Sequence, residues 1–250
     1  MALYQVILAY DGTAFFGMQR QANARTVQGV VEEALRKIGW MGESIHAAGR
    51  TDTGVHASGQ VISFDLDWKH SPEELQSALN AALPNDVAAS RVSAVGDNFH
   101  PRFDALSRTY RYRIFCQPYP NPLGERFAWR VWPEVDQNLL GESAKALLGE
   151  HDFAAFGTPP TKGGTTVRQV FTATWLQNGE GYTFEITANA FLYHMVRRMV
   201  SIQIEVGQGR KEPEVIIHYL EGKLERMIQG LAPPHGLILA KVHYHEDAGE

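Results

Sequence analysis

Ala48-Gly49-Arg50-Thr51-Asp52-Thr53-Gly54-Val55-His56-Ala57 separates two short apolar runs, and its reading decides how the first hundred residues fold. Gly49 and Gly54 lack a Cβ, so the backbone there can take positive φ or lie against another group. The hydroxyls of Thr51 and Thr53 can bond back to the loop backbone. Arg50 and Asp52 stand two apart, which on an extended segment turns both side chains to one side. A cation that close favours an ionised Asp52. The alternative is an Asx-type turn that only joins two strands.

Outward from this loop, residues 44–48 read as a short strand leading in, and residues 59–66 alternate as a second strand, with Val61, Ser63 and Asp65 opposed to Ile62, Phe64 and Leu66. Residues 3–10 form an earlier strand that ends at the turn signal Asp11-Gly12. Between them, Thr26 caps a helix with Val27, Val30, Val31, Ala34, Leu35 and Ile38 on one stripe, stopped by Gly39. Ser71-Pro72-Glu73-Glu74 is a capping box with proline at the first helical position, and residues 87–95 are a further strand. The order strand, helix, strand, strand, helix, strand is the split βαβ pattern of ferredoxin-like and RNA-recognition folds.

Residues 1–104 therefore read as one subdomain and 105–250 as a second. The second opens with a strand over 106–116, then a helix over 138–148 and an aperiodic segment at 157–164 that suits a mobile loop. A hairpin over 167–176 and 182–187 turns at Asn178-Gly179; a long helix over 191–206, a shorter one from Pro213 and a strand over 236–244 complete it. The fold class is mixed α+β.

The chain has 250 residues, 44% hydrophobic and 20% charged, enough to bury a sizeable core. Its single cysteine, Cys116, has no intramolecular partner, which points to a reducing compartment. No apolar run has the length of a membrane span, and Met1-Ala2-Leu3-Tyr4-Gln5 has no basic region ahead of an apolar one, so a cytoplasmic protein is expected. A net charge of -5 argues against coating nucleic acid non-specifically but allows a local basic surface. Arg102, Arg108, Arg111 and Arg113 form one basic group and Arg197, Arg198, Arg210 and Lys211 another, with compensating acids at Glu142, Glu150, Asp152 and the tail 246–250. They are either RNA contacts or solvated faces.

The loop at 48–57 resembles the GRTDxGVHA motif of the pseudouridine synthases, in the form found in the tRNA pseudouridine synthase A family. Ser107-Arg108-Thr109-Tyr110-Arg111-Tyr112-Arg113 is similar to that family's second motif and Asn189-Ala190-Phe191-Leu192-Tyr193-His194-Met195-Val196-Arg197-Arg198-Met199-Val200 to its third. Tyr10-Asp11-Gly12, Gln19-Arg20-Gln21, Phe99-His100-Pro101-Arg102-Phe103, Val167-Arg168 and Gly236-Leu237-Ile238-Leu239 extend the likeness along the chain. Met18 stands where the family commonly has tryptophan, and Ser201 where the third motif ends in glycine.

The resemblance implies a pseudouridine synthase fold: two RNA-recognition-like halves sharing a central antiparallel sheet, with flanking helices and the active cleft between the halves. It implies a homodimer that isomerises uridines at positions 38–40 in the tRNA anticodon arm. Asp52 is then the essential carboxylate, attacking ribose or ring or removing a ribose proton, and each route needs it ionised. Tyr110 faces the flipped base and Arg197 pairs with Asp52, while Arg50, Arg20, Gln21 and Arg168 contact RNA. From the residues alone, Tyr110 and Tyr112 read equally well as core packing with exposed arginines between them. On the third motif, Leu192, Met195, Val196 and Met199 form an apolar helical stripe. A cation carried inward beside it needs a partner.

The reaction breaks the C1′–N1 bond and rejoins uracil through C5 without redox change, so it needs no metal and no nucleotide cofactor. His46, His56 and His100 beside Asp52 match no standard ligand spacing. The competing readings are a non-catalytic RNA-binding module of the same fold, a pseudouridine synthase for another RNA site, and a carboxylate-dependent hydrolase of a small substrate.

Overall fold

A computed structural model describes residues 1–179, 181–224 and 227–245; the acidic tail at 246–250 lies outside them. In chain order the elements are β1 (Ala2–Tyr10), α1 (Val27–Lys37), β2 (His46–Ala47), β3 (His56–Leu66), α2 (Pro72–Ala82), β4 (Val87–Val95), β5 (Ser107–Cys116), β6 (Trp129–Val131), α3 (Gln137–Lys145), β7 (Gly149–Asp152), β8 (Val167–Asn178), β9 (Gly181–Ala188), α4 (Met195–Gly207), α5 (Val215–Leu220) and β10 (Leu237–His243). They fall into two compact units, Met1–Leu106 with Ile238–Glu250, and Ser107–Leu237.

In the first unit β1 is paired antiparallel with both β3 and β4. The far edge of β3 is shared: β2 lies antiparallel against Ile62 and Ser63, and β10 parallel against His56 and Ala57. With neighbours on both edges, β3 departs from the alternation its sequence suggests. Val61, Ile62, Ser63 and Phe64 are all buried and only Ser58 and Asp65 are exposed. Thr26 caps α1 through Oγ1, which accepts from Gly29 N, and Ser71 and Glu74 close the capping box of α2. Leu35, Leu75 and Leu79 of these helices and Val6, Leu8 and Ile62 of the sheet are all fully buried. Burial of side chains this size stabilises by about 1.5–3 kcal/mol each.

In the second unit β9 is antiparallel to β5 and β8, β8 is antiparallel to β7, and the three-residue β6 runs parallel to β5. Parallel pairs at β3–β10 and β5–β6 thus accompany the antiparallel majority. Helices α3 and α4 cover β8, tied by a buried polar knot: Gln203 Oε1 accepts from Trp175 Nε1 at 2.9 Å and Ser143 Oγ at 3.3 Å, while its Nε2 donates to Met199 O at 3.1 Å.

Helices α3 and α4 differ most from their expected bounds, and α5 starts at Val215 where Pro213 was the expected start. Asp136, not read as a cap, starts α3 by accepting from Asn138 and Leu139 N, and the helix ends at Lys145. Helix α4 begins at Met195 rather than near Phe191, because His194 takes a left-handed φ of 66°. Tyr193 N instead donates to Thr158 O at 2.9 Å, and Gly157 fits where a Cβ would lie 2.5 Å from Tyr193 O. That contact ties the start of the 157–164 segment to the residues before α4.

Candidate active site

The 49–55 loop is held by groups that come from β1, from the segment after it, and from β3. Tyr10 Oη and Thr51 Oγ1 are 2.8 Å apart, and Gln60 Nε2 donates to Gly49 O at 3.0 Å. Both partners are buried, and Gln60 pairs with Leu8 in the register of β1 against β3. Burial pushes the Tyr10 phenol up to about 12, opposed by its bonds to Thr51 and Gln60, so it stays protonated at neutral pH.

The backbone of residues 12–18 wraps the other side. Met18 N donates to Thr51 O at 3.0 Å, Gly54 N to Phe15 O at 3.3 Å, and Val55 N closes the turn onto Asp52 O at 3.1 Å. Gly12 N donates to His56 Nδ1 at 2.9 Å. Two glycines permit this approach: a Cβ on Gly12 would lie 2.0 Å from Val55 O, and Gly17, at φ +86°, would put one 2.8 Å from Thr51 O. Met18 is buried beneath the loop, so the position where an aromatic was expected is filled by a thioether.

Asp52 is half-buried and Arg50 is exposed on the same loop. Arg20 Nη1 donates to Glu32 at 2.6 Å and to Glu43 O at 3.2 Å. Glu32 is a fully buried carboxylate that also accepts from Gln28 Nε2 and Ile45 N. Arg20 therefore clamps α1 to the strand leading into the loop. Gln21 Nε2 donates to Phe16 O at 2.8 Å.

In the second unit, β5 separates the two tyrosines that its alternation left equivalent. Tyr112 is fully buried, with its hydroxyl on Pro233 O at 2.7 Å; burial raises its phenol, and the nearby Arg197 charge opposes that rise. Tyr110 is half-buried, edge-on to Phe191 at 4.9 Å. Tyr112 is thus core, whereas Tyr110 keeps an accessible ring. On the opposite face Arg111 pairs with Glu185 at 2.6 Å, a cross-strand pair fixed by the register.

Arg197 stands in the first turn of α4, where Nε donates to Ala232 O at 2.7 Å and Ala232 N returns a bond to Arg197 O at 3.2 Å. Its neighbours Leu192, Met195, Val196 and Met199 are buried as the apolar stripe requires. Arg168 is buried, with Nη1 on Thr165 O and Val167 O and burial lowering its pKa. Ser201 packs against Gly230, where a Cβ would meet its Oγ at 2.7 Å.

His56 is bound to Gly12, while His46 and His100 stack at 4.9 Å. Among the described residues no group of three or more His, Cys, Asp or Glu is arranged to hold a metal ion.

Residues 6–104 and 143–245 match the family model described as tRNA pseudouridine synthase. A tRNA pseudouridine synthase A from Geobacter sp. (strain M21) is 39% identical over 97% of this chain and 98% of its own length. The same-named proteins of Citrifermentans bemidjiense and Pseudothermotoga lettingae are 39% and 40% identical, covering 97% and 98% of this chain and 97% and 100% of their own lengths.

Proposed function

The chain belongs to the tRNA pseudouridine synthase family, and from that premise we propose that Asp52 is the carboxylate that carries uridine isomerisation, with Tyr110 and Arg197 serving the same nucleotide. The enzyme is an isomerase acting on tRNA. The observation that carries the residue assignment is the Asp52 loop itself. A half-buried carboxylate sits on a turn gripped by backbone bonds from residues 15 and 18 and by the buried Tyr10 and Gln60. Preorganisation of this kind is what a reacting group needs and what a spacer turn does not.

In the reaction the C1′–N1 bond breaks, uracil rotates, C5 bonds to C1′, and the C5 proton is lost as N1 gains one. Asp52 acts ionised, and Tyr110 supplies a ring to pack the base and a phenol near C5. Arg197, from the third motif, is the cation we assign to serve that carboxylate. The exposed Arg50 supports an RNA contact next to the reacting group, with Gln21 and the buried Arg168 as further candidates and Arg20 acting mainly through Glu32.

The targets we assign are uridines 38–40 of the anticodon arm, reached by flipping the base at a cost of a few kcal/mol. The homodimer we assign rests on the family resemblance; in the second unit Tyr119, Leu123, Phe127 and Trp132 are large apolar side chains left 74%, 90%, 38% and 50% exposed. Among the described residues no helix is long and apolar enough to cross a membrane, and the tRNA substrate supports the cytoplasmic location that we assign.

The test is conversion of unmodified tRNA transcripts without metal or nucleotide, with pseudouridines mapped by base. Asp52→Ala should abolish product while tRNA binding and the thermal melt are retained. An active Asp52→Ala protein would remove the assignment, and product outside the anticodon arm would keep the chemistry and overturn the specificity.

A further inference from the structure

Phe103 is a large apolar side chain held in water by an elaborate turn. It is 75% exposed. An exposed phenylalanine alone is ordinary, but this one is fixed in place. His100 N donates to Asp104 Oδ2 at 2.8 Å and Asp104 N returns to His100 O at 3.1 Å. Inside that loop His100 Nδ1 accepts the N–H groups of Arg102 at 3.1 Å and Phe103 at 3.4 Å. Burial, and then the neighbouring His46, hold the His100 pKa below its ordinary value, so the imidazole is neutral and able to accept at pH 7. The turn is anchored from below by Tyr244, whose hydroxyl donates to Pro101 O at 2.7 Å and whose ring lies 5.3 Å from Phe99.

The product is a short aromatic stack ending in solvent. His46 lies 4.9 Å from His100, His100 lies 4.3 Å from Phe103 at a tilt of 33°, and the Arg102 guanidinium stands 5.8 Å from the Phe103 ring. His46 is in β2, four residues before Arg50, which by chain reach puts it within about 14 Å of Arg50. A ring on a fixed turn, flanked by a cation, matches the requirements of an unpaired nucleotide. The base has a π face whatever its ring size, and the phosphate beside it is an anion within reach of the guanidinium. The chemistry assigned to Asp52, Tyr110 and Arg197 does not use these residues.

We propose that Phe103, backed by His100, is a stacking platform for an unpaired base of the RNA substrate, with Arg102 taking the adjoining phosphate. The proposal rests on the reading of the substrate as tRNA, and it adds a contact outside the reacting nucleotide.

Phe103→Trp in the full chain tests it directly. Addition of unmodified tRNA transcript should quench the introduced indole, over and above any change from the five native tryptophans measured in the unsubstituted protein. Phe103→Ala should weaken tRNA binding about tenfold with an unchanged thermal melt, and Phe103→Leu should weaken it equally, because an aliphatic side chain has surface but no π face. Arg102→Ala should make the fall of log K with log salt shallower by about one.

Wild-type affinity in Phe103→Ala, or rescue by leucine, overturns the platform. A change in sedimentation without a change in RNA affinity assigns the ring to a protein contact and overturns it too. Should tRNA bind and quench the introduced indole while the unsubstituted protein forms no pseudouridine, the catalytic reading fails and the platform stands. Pseudouridine formed normally by all three Phe103 variants, with no quenching, removes the platform alone.

Discussion

Gly12→Ala is the sharpest test of how the Asp52 loop is positioned. Gly12 does not use the left-handed backbone region, so the substitution carries no φ penalty; its effect is purely one of space. The new Cβ would lie 2.0 Å from Val55 O and 2.5 Å from Val55 C, against the 3.0 Å below which real Cβ contacts are essentially never seen. Backbone on both sides must therefore separate by about 1 Å or more. Val55 cannot move alone, because its N–H bonds to Asp52 O at 3.1 Å and the next residue accepts Gly12 N at 2.9 Å. A displacement of that size at a reacting group costs on the order of 100-fold in rate. Overpacking of this kind destabilises by about 1–3 kcal/mol. In a chain of this length that lowers the melting temperature by roughly 2–12 °C. The assay is single-turnover pseudouridine formation alongside tRNA binding and a thermal melt, with kcat expected to fall and tRNA affinity to change by less than about threefold. A Gly12→Ala protein that melts lower but isomerises at the full rate would refute the coupling between Val55 and Asp52. One with an unchanged melt as well would refute the close approach itself.

The ion pair of Arg25 with Asp86, at 2.7 Å, holds the Asp86 carboxyl below its ordinary range through its hydrogen bonds. A depressed carboxylate pKa gives stability that is present above the unfolded value near 3.9 and lost as pH falls through the folded value. Asp86→Asn should therefore cost about 0.5–1 kcal/mol at pH 7, an amount discounted for the partial exposure of both partners, and the gap between variant and parent should close below about pH 4. Urea denaturation at several pH values measures this. Gln203→Leu should destabilise by about 2–3 kcal/mol, because it strands the buried Trp175 indole N–H and removes an acceptor from Ser143. A lower urea midpoint with an unchanged slope is the expected result.

What could be read from the sequence was what depends on near neighbours. Thr26, Ser71-Pro72 and Asn178-Gly179 act within a few residues, and α1, α2 and the β8–β9 hairpin begin or turn where these residues place them. The start of α4 was not readable, because the apolar spacing of Phe191, Leu192 and Met195 continues the helical pattern outward. What stops the helix is distant. Tyr193 pairs with Thr158, and Asn189 Oδ1 accepts from Ala190 N and Gln169 N, so residues 189 and 193 are tied to β8 and the 157–164 segment instead of extending the helical ladder. Glu32 was hidden for a related reason. It lies off the stripe of Val27, Val30, Val31, Ala34, Leu35 and Ile38 and reads as an exposed position until Arg20, Gln28 and Ile45 supply the partners that let a carboxylate be buried.

The candidate site divides in the same way. The Asp52 motif is legible from composition, whereas Tyr10 and Gln60 are ordinary strand residues until the register of β1 against β3 places them under the loop. Along that sheet face the side chains change character, from Val6 paired with Ile62 to the polar Gln60 and Tyr10 at the loop end. Apolar packing is non-directional and would tolerate a loop shifted by an ångström, while hydrogen bonds weaken steeply with misalignment. Replacing contact area by directional bonds gives up some burial free energy and gains a fixed position for Thr51 and Gly49, the residues that bracket Arg50 and precede Asp52. That exchange is worth making where one carboxylate must meet one atom, and it explains why the polar residues of this face collect at its loop end.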